Sequence, residues 1–177
     1  CGYDAACGNM RFYWKYNVLP ALTSADVIVS ANLRLYANGR SGTAVIEVHQ
    51  VLEDWDAEEI TWADQPTFDT LAADFANCKT AGSTTSFYSW EVTEVVRKWY
   101  AGQNYGMVFK MSTAAEAAKK NGWIRFFSSE MDLACMPVMT IIFRNNNGLE
   151  SYWDYTASSA GRAGTGYINN YTGNLIW

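Results

Sequence analysis

The sequence has 177 residues, of which 49% are hydrophobic, 15% aromatic and 18% charged. This composition is typical of one globular domain, or of one domain with a tail. The formal net charge of −5 argues against nonspecific nucleic-acid binding, because affinity for phosphate comes from Lys and Arg. No apolar run approaches the roughly 20 residues that a membrane-spanning helix needs, so we predict no transmembrane segment.

The first two predicted strands each alternate between an apolar and a polar side. Residues 10–18 place Phe12, Trp14, Tyr16 and Val18 on one side and Arg11, Tyr13, Lys15 and Asn17 on the other. Residues 31–37 direct Leu33 and Leu35 inward and Arg34 and Tyr36 outward. The Asn38-Gly39 pair that follows is a strong turn signal, which predicts a hairpin into a strand at 43–51.

An acidic segment at 53–66 follows, and it contains Trp55, Trp62 and Pro66. We interpret it as a structured crossover loop. Its two tryptophan rings can stack on sugars or can pack into the core.

The remaining elements predict an antiparallel all-β sandwich of the jelly-roll type with one short helix. Strands are expected at 87–92, 105–111, 123–129 and 138–143, and a helix is expected to begin at Thr93 and to end at Gly102. Seven or so short strands at this spacing are typical of a sandwich. From residue 144 the sequence loses its periodicity, so we predict a domain at 1–143 and an irregular tail or linker at 144–177.

Catalytic chemistry has little support in the sequence. His49 is the single histidine and lies on a predicted strand, where a structural role is the expectation. The carboxylates of the acidic loop could suggest glycoside hydrolysis or Ca²⁺ binding, but they are more simply solvated. We therefore expect a non-catalytic protein without a cofactor, in which Ca²⁺ remains an option.

The four cysteines are Cys1, Cys7, Cys78 and Cys135, and they include no CxxC pair. A zinc site is therefore not expected. Disulfides and buried free thiols both remain possible for these residues. If disulfides form, the simplest of the three connectivities joins Cys1 to Cys7 and Cys78 to Cys135.

Outward residues on four strands give a candidate binding surface that is basic and aromatic. If the predicted register holds, one sheet face carries Arg11, Tyr13, Lys15, Arg34, Tyr36, Lys110 and Arg125. On an acidic protein, such a patch would suit an anionic polymer such as an acidic polysaccharide or teichoic acid. The alternative is an ordinary polar strand face whose charges pair with acidic neighbours across the sheet.

Several segments resemble the DNRLRE domain, a β-sandwich module related to carbohydrate-binding modules. The resemblance covers about residues 10–143 and rests on the segments WKYNVLP, ANLRLYA, VLEDWDAEEITWADQP, YSWEVTEVVRKWYAGQNYGMVFK and FFSSE. The tail GLESYWDYTASSAGRAGTGYINNYTGNL is similar to segments that join such modules to Rhs/YD-repeat regions of wall-associated bacterial proteins and polymorphic toxins. The family's first strand has no counterpart before Gly2, so we expect the sheet to lack this strand at one edge.

The resemblance implies a secreted or cell-surface binding module in which Trp55 and Trp62 anchor the crossover loop to the core. Its partner would be a polysaccharide or cell-wall polymer, and it would anchor the rest of an Rhs/YD-repeat chain at the envelope. The alternative is an assembly module that packs on the repeat region or pairs its exposed sheet edge with another chain.

Overall fold

The computed structural model describes residues 1–19, 21–78, 86–127, 135 and 137–144, together with the backbone of 150–156 and 165–169. Within these residues there are eleven strands and two short helices. In chain order they are β1 (Gly2–Asp4), β2 (Gly8–Trp14), β3 (Val27–Gly42), β4 (Ala44–Gln50), β5 (Asp74–Cys78), β6 (Ser86–Glu91), α1 (Thr93–Tyr100), β7 (Met107–Lys110), α2 (Thr113–Ala117), β8 (Gly122–Phe126), β9 (Val138–Arg144), β10 (Glu150–Thr156) and β11 (Thr165–Asn169). The predicted all-β sandwich is confirmed.

All strand pairs are antiparallel, and the sheet is continuous. Its order is β10-β9-β3-β8-β1-β2-β7-β4-β5, with β6 paired to β3 and β11 paired to β2. The sheet curls so that inward side chains from its two halves meet in a single large core. Trp90 lies at the centre of this core, with its ring centroid 5.1 Å from that of Phe109 and 5.6 Å from that of Phe126.

β3 is 16 residues long and changes partners along its length. Its first part pairs with β9, its middle pairs with β6, and its end pairs with β8. The register shifts between Ala37 and Gly39, so the predicted Asn38-Gly39 turn is wrong. A β-bulge takes its place because Asn38 Oδ1 accepts a hydrogen bond of 2.8 Å from Arg125 Nε, and the chain turns instead at Gly42, where φ is 62°.

The helix predicted at Thr93 is present, and its buried residues include Val95, Val96 and Trp99. The prediction of one helix missed α2. This helix begins after Ser112, whose side chain accepts a hydrogen bond of 3.2 Å from Ala115 N. Such an N-cap satisfies a backbone donor that the first turn leaves free, and it stabilises a helix too short to show periodicity in the sequence.

The segment predicted to be an irregular tail contains two strands. β10 pairs with β9 along seven residues, and β11 pairs with the last five residues of β2. Strand formation here depends on pairing with the sandwich rather than on local pattern, which is why the sequence did not indicate it. The domain boundary after residue 143 stays a prediction. β1 lies inside the sheet between β2 and β8. The expectation that a strand of the family is missing before Gly2 stays a prediction.

Candidate functional site

The crossover loop covers the outer face of β2, β7 and β4. Its apolar residues form a second, smaller core with the sheet, made of Tyr13, Val51, Trp55, Ile60 and Val108, with Ala57, Trp62, Phe68 and Tyr105 packed against it. The Trp55 ring lies edge-on to the Tyr13 ring at 5.5 Å, and its Nε1 donates to the Tyr105 carbonyl oxygen at 2.8 Å. The predicted anchoring role of Trp55 is confirmed.

Arg11 lies beneath this loop in a network of polar and aromatic contacts. Its guanidinium donates to both carboxylate oxygens of Glu116, at 3.0 and 2.6 Å. It also donates to Gln65 and lies 4.7 Å from the centre of the Trp62 ring and 5.3 Å from that of Phe68. The Arg11 guanidinium is thus contacted by a carboxylate, an amide and two aromatic rings of the protein.

Tyr13 and Lys110 are buried in the same region. The Tyr13 hydroxyl lies 3.1 Å from Gln65 Oε1, and burial raises the pKa of Tyr13 to about 12. Lys110 Nζ lies 3.5 Å from Glu116 Oε2, and 1% of its side chain is exposed. Burial lowers the pKa of Lys110, and the charge of Glu116 opposes that change.

Lys15 is also occupied by the loop. Its ammonium donates to Asp54 at 3.0 Å and to the Trp55 carbonyl oxygen at 2.7 Å. The hydrogen bond from Lys15 lowers the pKa of Asp54.

Four of the seven predicted binding residues are therefore covered: Arg11, Tyr13 and Lys15 by the crossover loop, and Lys110 by Phe68 and by Glu116 of α2. The expected register is right, since these side chains do point away from the main core. The expectation of one continuous surface is wrong, because the loop buries its aromatic side chains on this half of the sheet.

The other three predicted residues, Arg34, Tyr36 and Arg125, lie on the outer face of β3 and β8, where Arg34 and Arg125 are exposed and Tyr36 is half-buried. Two residues that the sequence analysis missed, Phe87 and Phe127, complete this surface, which we call the open face. The Tyr36 ring lies 4.5 Å from the Phe87 ring and 5.6 Å from the Phe127 ring, to which it is nearly parallel.

Phe87 is the most prominent apolar group of the open face. Its relative exposure is 44%, and the Arg34 guanidinium lies over its ring at 4.6 Å. It is directly opposite Tyr36 because β6 pairs with β3. The alternation within FYSWEV shows that Phe87 points away from Trp90, but the sequence does not show which strand lies beside it.

The open face offers groups suited to polymer binding. Exposed rings can stack on the apolar faces of sugars, and guanidinium groups hydrogen-bond hydroxyl and carboxylate oxygens. Two contacts hold its arginines in place: Arg34 by the Phe87 ring and Arg125 by Asn38. Rings and charges fixed before binding lose less conformational entropy when a ligand arrives.

His49 and the acidic residues have structural contacts. His49 Nδ1 lies 2.9 Å from the Asp69 carbonyl oxygen, and Nε2 lies 3.2 Å from Glu47. In the loop, Asp56 Oδ1 accepts from Glu58 N at 2.7 Å. Within the described residues, no three His, Cys, Asp or Glu side chains are grouped closely enough to hold a metal. Ca²⁺ binding stays a prediction.

All four cysteines are unbonded, so neither Cys1–Cys7 nor Cys78–Cys135 is bridged in the structure. Cys1 and Cys78 are buried in the main core, whereas Cys7 and Cys135 are partly exposed.

Comparison with known proteins adds one finding. The profile of carbohydrate-binding module family 96 matches residues 3–142. No curated protein sequence matches the chain. In the part of the chain that the structure describes, neither helix is long and apolar enough to cross a bilayer.

Proposed function

Because the chain belongs to carbohydrate-binding module family 96, we propose that it binds a polysaccharide and that the polymer lies along the open face. The observation that carries this assignment is the position of Phe87, a ring that is 44% exposed and flanked by the Tyr36 ring and the Arg34 guanidinium. An exposed ring fixed on a rigid sheet gives a sugar a stacking surface at low entropic cost.

The charge of the open face favours an anionic polymer. Arg34 and Arg125 are both exposed there, on a protein whose formal net charge is −5. A local positive surface on an acidic protein attracts an anionic chain while the rest of the surface repels it. Acidic polysaccharides and teichoic acids are the classes that this charge pattern fits.

We further propose that the module is extracellular, non-catalytic and part of a larger surface protein. The resemblance of residues 10–143 to the DNRLRE domain, and of the tail to segments that precede Rhs/YD repeats, supports this role. The module would then hold the Rhs/YD-repeat chain at a cell wall or on a secreted polymer.

An assembly role is the second candidate, and it rests on β5. This strand ends the described strand order after β4, and it carries Phe75, whose relative exposure is 59%. An edge strand with an exposed apolar residue can pair with a strand of another chain. The partner in that case would be a second chain; packing on the repeat region of its own chain is the other form of the assembly role.

Calorimetry against a panel of neutral and anionic polysaccharides tests the main proposal. We expect saturable binding that weakens about tenfold in Phe87→Ala and in Arg34→Gln, which corresponds to about 1.4 kcal/mol. Phe75→Ala is the aromatic comparison on β5, the strand of the second candidate role, and Lys120→Ala, just after α2, is the charge control; both side chains are exposed. Circular dichroism verifies that each variant folds.

Three results would contradict the proposal. Absence of binding across the panel would favour the assembly role. Unchanged affinity in folded Phe87→Ala and Arg34→Gln would place the site elsewhere on the module. A loss of binding in Phe75→Ala instead would assign binding to the β5 edge.

A further inference from the structure

Glycines bring three backbone segments together at one corner of the main core. A Cβ atom on Gly2 would overlap the Gly122 carbonyl oxygen, and one on Gly122 would lie 2.5 Å from the Thr43 carbonyl oxygen. These Cβ-to-oxygen distances, 2.3 Å for Gly2 and 2.5 Å for Gly122, are shorter than any real Cβ contact. The start of the chain, the start of β8 and the turn between β3 and β4 are therefore in direct backbone contact.

Cys1 and Cys78 both lie next to these three backbone segments. Cys1 N donates to the Ile124 carbonyl oxygen at 2.6 Å and Ile124 N donates back at 2.8 Å, so Cys1 extends the pairing of β1 with β8. Cys78 lies opposite Ala44, the residue that follows Thr43. Both cysteine side chains point into the main core, and each residue is 1% exposed.

The two pairs of cysteines lie in different surroundings. Burial raises the pKa of the Cys78 thiol to about 12, and the charge of Arg40 opposes that rise. Cys7 and Cys135, by contrast, are partly exposed and lie outside this core.

We propose that Cys1 and Cys78 form a disulfide when the protein folds under oxidising conditions. The bond takes the place of the connectivity that the sequence analysis considered simplest if disulfides form, and it leaves Cys7 and Cys135 as thiols. It ties the first residue of the sequence to β5, the edge strand at the end of the sheet.

The oxidant is a low-molecular-weight disulfide such as oxidised glutathione. One cysteine thiolate attacks it and releases a glutathione thiolate. The second cysteine thiolate then attacks the protein sulfur of the mixed disulfide and releases the second glutathione. Two electrons pass from the cysteine pair to the glutathione pair, and the two protons lost by the cysteines go to the glutathione thiolates.

The order of events follows from burial. A thiol with a pKa near 12 is almost entirely protonated at neutral pH, and only the thiolate attacks. The bond must therefore form before the corner closes. We expect the folded, reduced protein to oxidise at this pair far more slowly than the refolding chain.

The variant Cys7→Ser/Cys135→Ser, which retains only the proposed pair, gives the decisive test. After refolding in a glutathione buffer and quenching, we expect a monomer with no thiol that is titratable in denaturant, and a thermal midpoint that falls on reduction. Peptide mapping of the wild-type protein without reductant should give the Cys1–Cys78 linkage. Two free thiols, a linked dimer, or a Cys1–Cys7 peptide in the wild-type map would overturn the proposal.

Discussion

Replacing Glu116 by Gln would measure how strongly the covered face depends on one carboxylate. This carboxylate neutralises Arg11 at 2.6 Å and Lys110 at 3.5 Å. The side chains of Arg11, Lys110 and Glu116 are 12%, 1% and 7% exposed, so water screens the charges poorly. Glutamine keeps the shape and one hydrogen-bond acceptor but leaves two cations facing each other, and their mutual repulsion already contributes to lowering the pKa of Lys110.

Removing one partner of a buried ion pair costs about 3–5 kcal/mol. Because Gln retains a hydrogen bond, we expect the lower end, about 3 kcal/mol. For a chain of this size the thermal midpoint should fall by roughly 6–12 °C. Thermal unfolding followed by circular dichroism gives the midpoint, and urea titration gives the free energy of unfolding.

Arg11→Met, made alone and together with Glu116→Gln, completes a double-mutant cycle. We expect a coupling energy of about 2 kcal/mol, because the second substitution removes a cation that the first leaves unpaired. Glu58→Gln, in an exposed position on the crossover loop, should change stability by less than about 0.5 kcal/mol. A loss below about 1 kcal/mol in Glu116→Gln would refute the reasoning and would mean that solvent reaches the pair.

Two further outcomes are expected. Burial raises the pKa of Tyr13 to about 12, whereas the tyrosine of an unfolded chain ionises at about 10. The free energy of unfolding should therefore fall as the pH rises from about 10 to 12. Urea unfolding at a series of pH values measures this fall, and Tyr13→Phe should reduce it. In urea unfolding, Gly122→Ala should destabilise the protein by about 2 kcal/mol more than Gly102→Ala. A Cβ at Gly122 would overlap the Thr43 carbonyl oxygen, whereas a Cβ at Gly102 meets nothing within 4 Å. Equal losses would argue against the close backbone contact of Gly122 with Thr43.

Side-chain alternation predicted the direction of most strand residues. Leu33 and Leu35 are fully buried and Arg34 is exposed, as the pattern of β3 indicates. The pattern of β2 likewise separates Phe12 from Arg11. A period of two residues reveals which side chains share a face, but it does not reveal what covers that face.

The covered half of the predicted patch shows this limit. The path of the crossover loop depends on tertiary contacts, chiefly those of Trp55, Ile60 and Phe68 with β2 and β7. Trp55 and Ile60, two apolar residues inside the acidic segment at 53–66, were the available signal that the loop packs against the rest of the protein. Which strands it covers follows from long-range pairing, which local periodicity does not encode.

The pairing of Phe87 with Tyr36 could not be predicted either, because local periodicity does not encode long-range strand pairing. The two residues are 51 positions apart and meet only because β6 lies beside the middle of β3. The bulge after Ala37 was misread because Asn-Gly is a turn signal in isolation. Its hydrogen bond to Arg125 on β8 gives Asn38 a different role in the folded chain.

The bulge in β3 also changes which side of the strand each later residue occupies. Before it, Leu33, Leu35 and Ala37 point inward; after it, Arg40 lies opposite the buried Ile124, and Gly39 lies opposite the exposed Arg125. One extra residue thus reverses the inside–outside parity of the strand. Insertions or deletions between 37 and 39 would exchange interior for exterior along the rest of β3, so the strand tolerates changes of residue type there far better than changes of length.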